Sequence, residues 1–354
     1  MLIYVCLSSH GFGHGSRTAA VLAEVAARRP HWRLVLSTGL SEAFLALAFG
    51  AVPYERRPCQ WDVGVIQADA LSVDPPATLV ALERFEAALP AQLEAEAAWL
   101  AQQPGPVAVL ADVPPSAALL AVPLGLPLIW LASFGWDAIY GPMGGAFAER
   151  AERYRALYSQ GQLLLHCPLA LPMPWGVPEV PLGVTASRPR LPLEPLAAQL
   201  QLPADRERVV LVSFGGLGLR LDPALLARWP HHVFIGPDPG LAAVANGRLL
   251  PPGVRPLDLM PLASRLITKP GYSSFCEAFS QGIGIHLVDR QGFAEAPVLR
   301  QALQNHGAHR LLSQEQLLAG DWQLDQPLLP PRQGPLRLDG AAVAAEALIR
   351  HLEG

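Results

Sequence analysis

Directly after the apolar run LIYVCL the chain reads His10-Gly-Phe-Gly-His14-Gly-Ser-Arg17. A turn so rich in glycine, followed by the helix-like TAAVLAEVAARR, puts two imidazoles and a guanidinium at a strand's exit, where open α/β sheets bind ligands. The glycines permit close backbone approach, the helix start offers unpaired N–H groups to an anion, and Arg17 adds a charged fork. Two further loops carry the same logic. SFGGLG at 213–218 supplies Gly215 and Gly216, and Lys269-Pro-Gly271-Tyr-Ser273-Ser274-Phe-Cys-Glu277 opens another helix-like stretch. In the latter, Gly271, Ser273 and Ser274 can offer backbone N–H groups and hydroxyls to a phosphate, with Lys269 adding positive charge. An ordinary Ser-capped helix has the same pattern.

Acidic groups supply the complementary chemistry. Glu277 can accept hydrogen bonds from a sugar or ribose diol, or it can simply favour the positive end of its helix. Asp289, Arg290, Gln291 and Glu295 in DRQGFAEAPVLR can hold a polyhydroxyl ligand, although Glu295 also suits a helix terminus. Asp112 ends VAVLAD. Asp137 follows Trp136, and a carboxylate beside an aromatic ring can position a sugar, while Trp136 serves equally well as a core anchor.

Familiar alternatives lack their residues. The chain has no GxxxxGK[ST] loop, no HExxH helix and no GxSxG elbow. HGFGHG departs from the G-x-G-x-x-G order, and the second strand ends VLSTG with no acid for a ribose, which argues against a dinucleotide oxidoreductase. No DxD pair is present to hold a divalent metal against a sugar diphosphate. No metal or tightly held cofactor is expected. Electrostatic help must then come from lysine, arginine and helix termini.

The elements that must position these groups alternate between strand-like and helix-like runs, the grammar of parallel α/β sheets. At 354 residues two domains are expected rather than one core. The composition shift at ASRPRLPLEPLAAQLQLPAD suggests a linker over 185–205, between an amino-terminal domain, 1–184, and a carboxy-terminal one, 206–335. The segment 336–354 reads as a final helix packing back on the first domain. Thirty acids balance 26 bases, so no nucleic-acid partner is indicated. Apolar stretches are short and interrupted, so no membrane span is expected. The four cysteines, Cys6, Cys59, Cys167 and Cys276, show no CxxC or metal spacing and read as reduced thiols. The first residues read directly as a strand with no basic leader, and a cytoplasmic location is expected.

HGFGHGSR, DVGVIQADALSVD, ADVPPSAALLA, SFGWDAIY and KPGYSSFCEAF with HLVDRQGFAEAPVLR resemble the GT-B-like amino-terminal region of L-arabinokinase proteins. More distantly they resemble the MurG and UDP-glycosyltransferase superfamily. The family's kinase region has no counterpart here. The resemblance implies two Rossmann-like domains with parallel sheets facing across a cleft. A nucleotide-diphosphate sugar would be held mainly by the carboxy-terminal domain as co-substrate, and a small-molecule or glycan acceptor by the amino-terminal one. The GxxxxxE pattern from Gly271 to Glu277 makes Glu277 a ribose contact. Lys269 stands where related sequences often have arginine. Asp289-Arg290-Gln291 departs from the acid-glutamine pair that touches the donor sugar. The expected chemistry is metal-free glycosyl transfer, with His14, or else His10, accepting the acceptor's proton and Asp112 or Asp137 orienting the imidazole or the acceptor. Lys269, Arg17 and helix N–H groups would meet the leaving charge. A nucleotide-sugar epimerase or hydrolase, or a non-catalytic sugar-nucleotide sensor, are the alternatives. Oligomeric state is left open.

Overall fold

The computed structural model describes residues 1–67, 73–215, 221–289 and 292–354. In chain order the first unit runs β1 (Leu2–Leu7), α1 (Phe12–Arg28), β2 (Arg33–Ser37), α2 (Glu42–Phe49), β3 (Glu55–Arg57), α3 (Pro75–Leu100), β4 (Val107–Asp112) and α4 (Ala117–Ala121). It continues with β5 (Leu128–Ala132), α5 (Trp136–Tyr140), α6 (Gly145–Tyr158), β6 (Leu163–His166) and β7 (Glu179–Pro181). All seven strands pair in parallel in the order β3-β2-β1-β4-β5-β6-β7. The central strands are buried along their whole length, as strands covered by helices on both faces must be. That is why β1 and β5 read as unbroken apolar runs rather than as alternating ones.

The second unit contains α7 (Leu193–Gln199), β8 (Val209–Val212), β9 (Val233–Gly236), β10 (Gly247–Leu249), α8 (Pro256–Leu259), β11 (Arg265–Thr268), α9 (Tyr272–Gln281), β12 (Gly284–Val288), α10 (Glu295–His306), β13 (His309–Leu312) and α11 (Gln314–Ala319). Its six strands are also parallel, ordered β10-β9-β8-β11-β12-β13. Within the described residues, compactness divides the chain at Thr185 and returns residues 337–354 to the first unit. Residues 193–199 are helical and belong to the second unit.

The last helix, α12 (Gly340–Glu353), lies against α1 and buries Ala344, Ala345, Leu348 and Ile349. Its entry is tied by Val184 N–H to Arg337 O (2.7 Å) and Gly340 N–H to Val184 O (3.2 Å). A Cβ at Gly340 would come within 2.0 Å of the Gly183 carbonyl, so only glycine permits this approach.

In each sheet the order reverses between two neighbouring strands, β1 and β4 in one and β8 and β11 in the other. Loops leaving such a pair diverge to opposite sides and open a crevice at the strands' carboxyl ends. HGFGHGSR follows β1 and Asp112 ends β4; SFGG follows β8 and KPGYSS follows β11. Both sets of candidate residues therefore sit at a topological switch point. Among the described residues no helix is long and apolar enough to cross a membrane.

Candidate active site

The sequence suggests a turn through Arg17, but helix α1 begins at Phe12, with Gly11 as its N-cap at φ 86°. Glycine's weak helix propensity hides this start. Once the helix begins at Phe12, positions 14, 17 and 18 fall on one face. That face is buried against the end of β4. His14 Nδ1 lies 2.8 Å from Asp112 Oδ1, Arg17 Nε donates to Oδ2 (3.1 Å), Thr18 Oγ1 donates to Oδ2 (2.7 Å), and Arg17 Nη2 closes on Oδ1. Arg17 Nη1 continues to Ser133 Oγ after β5 (2.9 Å).

Asp112 is fully buried. Burial pushes its carboxyl up, but the charges of Arg17 and His14 and their hydrogen bonds outweigh it and hold the group at about 2. An ionised carboxylate only accepts, so the proton shared with His14 sits on Nδ1 and the lone pair on Nε2. This is the tautomer a general base needs. His14 is 8% exposed, while Arg17 is 2% exposed and committed to Asp112 and Ser133. Arg17, expected to meet the leaving charge, lies against the carboxylate that holds the imidazole.

His10 is half-buried, and its backbone N–H donates to Ser8 Oγ (3.2 Å). Its ring meets the edge of Trp136 at 5.3 Å, and Gly64 makes room for it, since a Cβ there would lie 2.1 Å from Nδ1. Beneath the pair lies a carboxylate that sequence reasoning missed. Asp62 accepts from Ser8 Oγ (3.0 Å) and Trp136 Nε1 (2.8 Å), and burial raises its carboxyl against those two bonds. Its only sequence signal was the opening aspartate of DVGVIQADALSVD. Residues 68–72 of that motif lie outside the described residues.

Asp137 is not brought to the imidazoles. It is 1% exposed and accepts from Trp175 Nε1 (3.3 Å) and Arg155 Nε (3.3 Å) behind α5. The two carboxylates look equivalent in sequence, and strand order separates them. Asp112 ends β4, which pairs with β1, whereas Asp137 follows β5, which does not.

In the second unit the loops after β8 and β11 are joined. Ser213 N–H donates to Ile267 O (3.0 Å), and Thr268 Oγ1 donates to Ser213 O (2.6 Å). Gly215, at φ 76°, leaves space where a Cβ would touch Lys269 Cε at 3.8 Å. Gly271 is the N-cap of α9 and has no side chain to cap the helix's first turn. Ser273 and Ser274 are half-buried in that turn.

Glu277 sits in the second turn of α9 rather than at its start, so the helix dipole does not account for it. Burial pushes its carboxyl up to about 7, opposed by the charge of Arg255 and aided by that of Asp258. Its carboxyl makes no hydrogen bond among the described residues. Asp289 is exposed and paired with Arg300 (2.9 Å), and Glu295 opens α10 half-buried. Gly216, Arg290 and Gln291 lie outside the described residues. Among the described residues no group of three or more His, Cys, Asp or Glu is placed to hold a metal ion.

Two parallel Rossmann-like units with ligand loops at their switch points define a GT-B-like fold. Solved structures agree over nearly the whole chain. UGT2 of Phytolacca americana, in complex with UDP-2-fluoro-glucose and pterostilbene, is 15% identical, with a TM-score of 0.63 over 99% of this chain and 93% of that one. A UDP-glucosyltransferase from Polygonum tinctorium, capable of glucosylating indoxyl, is 14% identical, with a TM-score of 0.62 over 99% and 94%. In sequence, L-arabinokinase of Arabidopsis thaliana is 26% identical over 326 residues. The match takes in 89% of this chain and 31% of the relative, so the chain spans about a third of that protein's length. No family model matches the chain.

Proposed function

We propose that the protein is a glycosyltransferase moving a hexosyl or pentosyl group from a nucleotide-diphosphate sugar to a hydroxyl acceptor without a metal. The observation that carries this reading is the His14–Asp112 pair at the β1/β4 switch point of a GT-B-like fold. His14 Nε2 accepts the acceptor's hydroxyl proton, and Asp112 steadies the imidazolium that results. The acceptor oxygen bonds to the anomeric carbon as the bond to the diphosphate breaks. Lys269 and the first N–H groups of α9 receive the leaving charge, and Glu277 accepts from the ribose diol. The fold likeness to UDP-sugar enzymes supports the donor class.

A cytoplasmic location fits four buried cysteines that form no disulfide among the described residues. Likeness to one part of a larger kinase favours a second reading, a unit that binds nucleotide sugars without turnover. Incubation with UDP-, GDP- and dTDP-sugars and a broad acceptor panel separates the two. Acceptor-dependent sugar transfer supports the transferase, and binding with no product across the panel sinks it.

A further inference from the structure

At the opposite end of β11 from Lys269, a second charged site is built into the sheet. Register places Phe234, Val210 and Arg265 in one row across β9, β8 and β11, with Val212, Ile267, His286 and Arg310 in the row above. Paired residues project from the same face, and the His232 ring lies 6.4 Å from that of Phe234. A basic margin therefore runs across this face of the second sheet at its amino-terminal edge. Residues 322–329 strap it down through their carbonyls. His286 Nδ1 donates to Trp322 O (2.9 Å), Arg265 Nη1 to Gln326 O (3.2 Å), and Arg310 Nε to Pro327 O (2.9 Å).

Arg265 is the unusual member. It is 9% exposed, and a guanidinium so buried ordinarily has a carboxylate partner. This one has none. Nη1 gives its two protons to Gln326 O and to His286 Nε2 (3.0 Å), and Nε is buried with no hydrogen-bond partner. Nη2 makes no hydrogen bond among the described residues. The Nε/Nη2 edge is the fork that takes two oxygens of one oxyanion. The Nδ1 atom of His232 is likewise buried and unpartnered, and burial first, then the nearby charge of Arg265, holds down its protonation. Glu207 and Asp325 act on Arg265 only through space, and both are exposed.

We propose that the Nε/Nη2 edge of Arg265, with His232 beside it, binds a small oxyanion, phosphate or the phosphoryl group of a small metabolite. The site is separate from the Lys269 loop, about 13 Å away along β11 at the usual rise per residue. It goes beyond the transferase reading and does not depend on it. An anion there neutralises the buried guanidinium and fixes the residue that tethers the strap at Gln326.

The test follows the arginine Nε–H signals of the full-length protein by proton–nitrogen correlation NMR during titration with inorganic phosphate, with UDP present to occupy the donor loop. The Arg265 signal, assigned by its absence from Arg265→Lys, shifts saturably. Calorimetric phosphate affinity falls at least tenfold in Arg265→Lys and severalfold in His232→Phe. If Arg265→Lys does not fold, the Arg265 signal is assigned by its through-space contact with the His286 ring, and its saturable shift in the wild type and weakening in His232→Phe carry the result. Glucose 1-phosphate binding as tightly as phosphate identifies a phosphorylated metabolite, and phosphate alone identifies the free ion. An Arg265 signal unmoved at saturating phosphate, or equal affinity in all three proteins, overturns the proposal.

Discussion

The imidazole of His14 has a defined proton position because Asp112 stays ionised, and Asp112 stays ionised because the charges and hydrogen bonds of Arg17 and His14 outweigh its burial. Replacing Asp112 by Asn leaves the Arg17 guanidinium buried without its counter-charge. The expected cost is about 3 kcal/mol in urea unfolding, beyond any loss of activity. Acid titrates the same group. Its folded value of about 2 lies below the unfolded carboxylate near 4, so its stabilisation is complete above pH 4 and disappears as pH falls through 2. Unfolding midpoints measured from pH 5 to pH 2 should show that loss, and a flat profile would contradict the ion pair. Glu277 has the reverse sign. Its folded carboxyl, raised to about 7, binds a proton that the unfolded chain has released, so its contribution to stability declines as pH rises from about 4.5 through 7. In the proposed donor site a ribose diol donates to this carboxylate, so UDP affinity should strengthen through pH 7 in the wild type and lose that step in Glu277→Gln. Calorimetry across pH 6 to 8 checks both. Asp62 was not legible as a site residue, because the segment that carries it has no periodicity to place it and its partners Ser8 and Trp136 are distant in sequence.

Strands were the most legible elements, since burial on both faces writes them as unbroken apolar runs between glycine-rich turns. The start of α1 was not legible. Three glycines within HGFGHG read as a loop, and the helix forms there because its 14, 17 and 18 face is tied to Asp112. Tertiary bonding overrode propensity, and in doing so it turned a proposed anion turn into a rigid mount for a histidine. Choosing between Asp112 and Asp137 needed strand order, which no spacing along the chain encodes. The loop after β3 contributes a second constraint. Gly64 adopts φ 72°, and any side chain there would occupy the His10 ring. Gly64→Ala should therefore cost about 1–3 kcal/mol and displace His10. A thermal scan, with the His10 ring signal as a second readout, measures it; an unshifted midpoint would show that the turn tolerates a side chain.

At the scale of the whole molecule, the two-unit α/β architecture was readable from composition shifts and repeated strand-then-glycine order, and likeness to solved GT-B structures over 99% of the chain bears out the fold. Chain tracing gives the first unit an unusual dependence on the far end of the sequence. Helix α12 covers α1 with Ala344, Ala345, Leu348 and Ile349, and Arg29 pairs with Glu353 at 2.5 Å. Removing residues 337–354 should raise amide exchange along α1 and β1 while leaving β8 and β11 protected; uniform protection would show that the helix is dispensable. The proposed glycosyl transfer rests on His14. The most direct measurement compares wild type and His14→Ala, using a nucleotide sugar and acceptor that the wild type turns over, with donor affinity determined alongside the transfer rate. Loss of a general base predicts a transfer rate lower by about a hundredfold to ten-thousandfold with donor affinity unchanged. Undiminished transfer by His14→Ala would contradict the assignment.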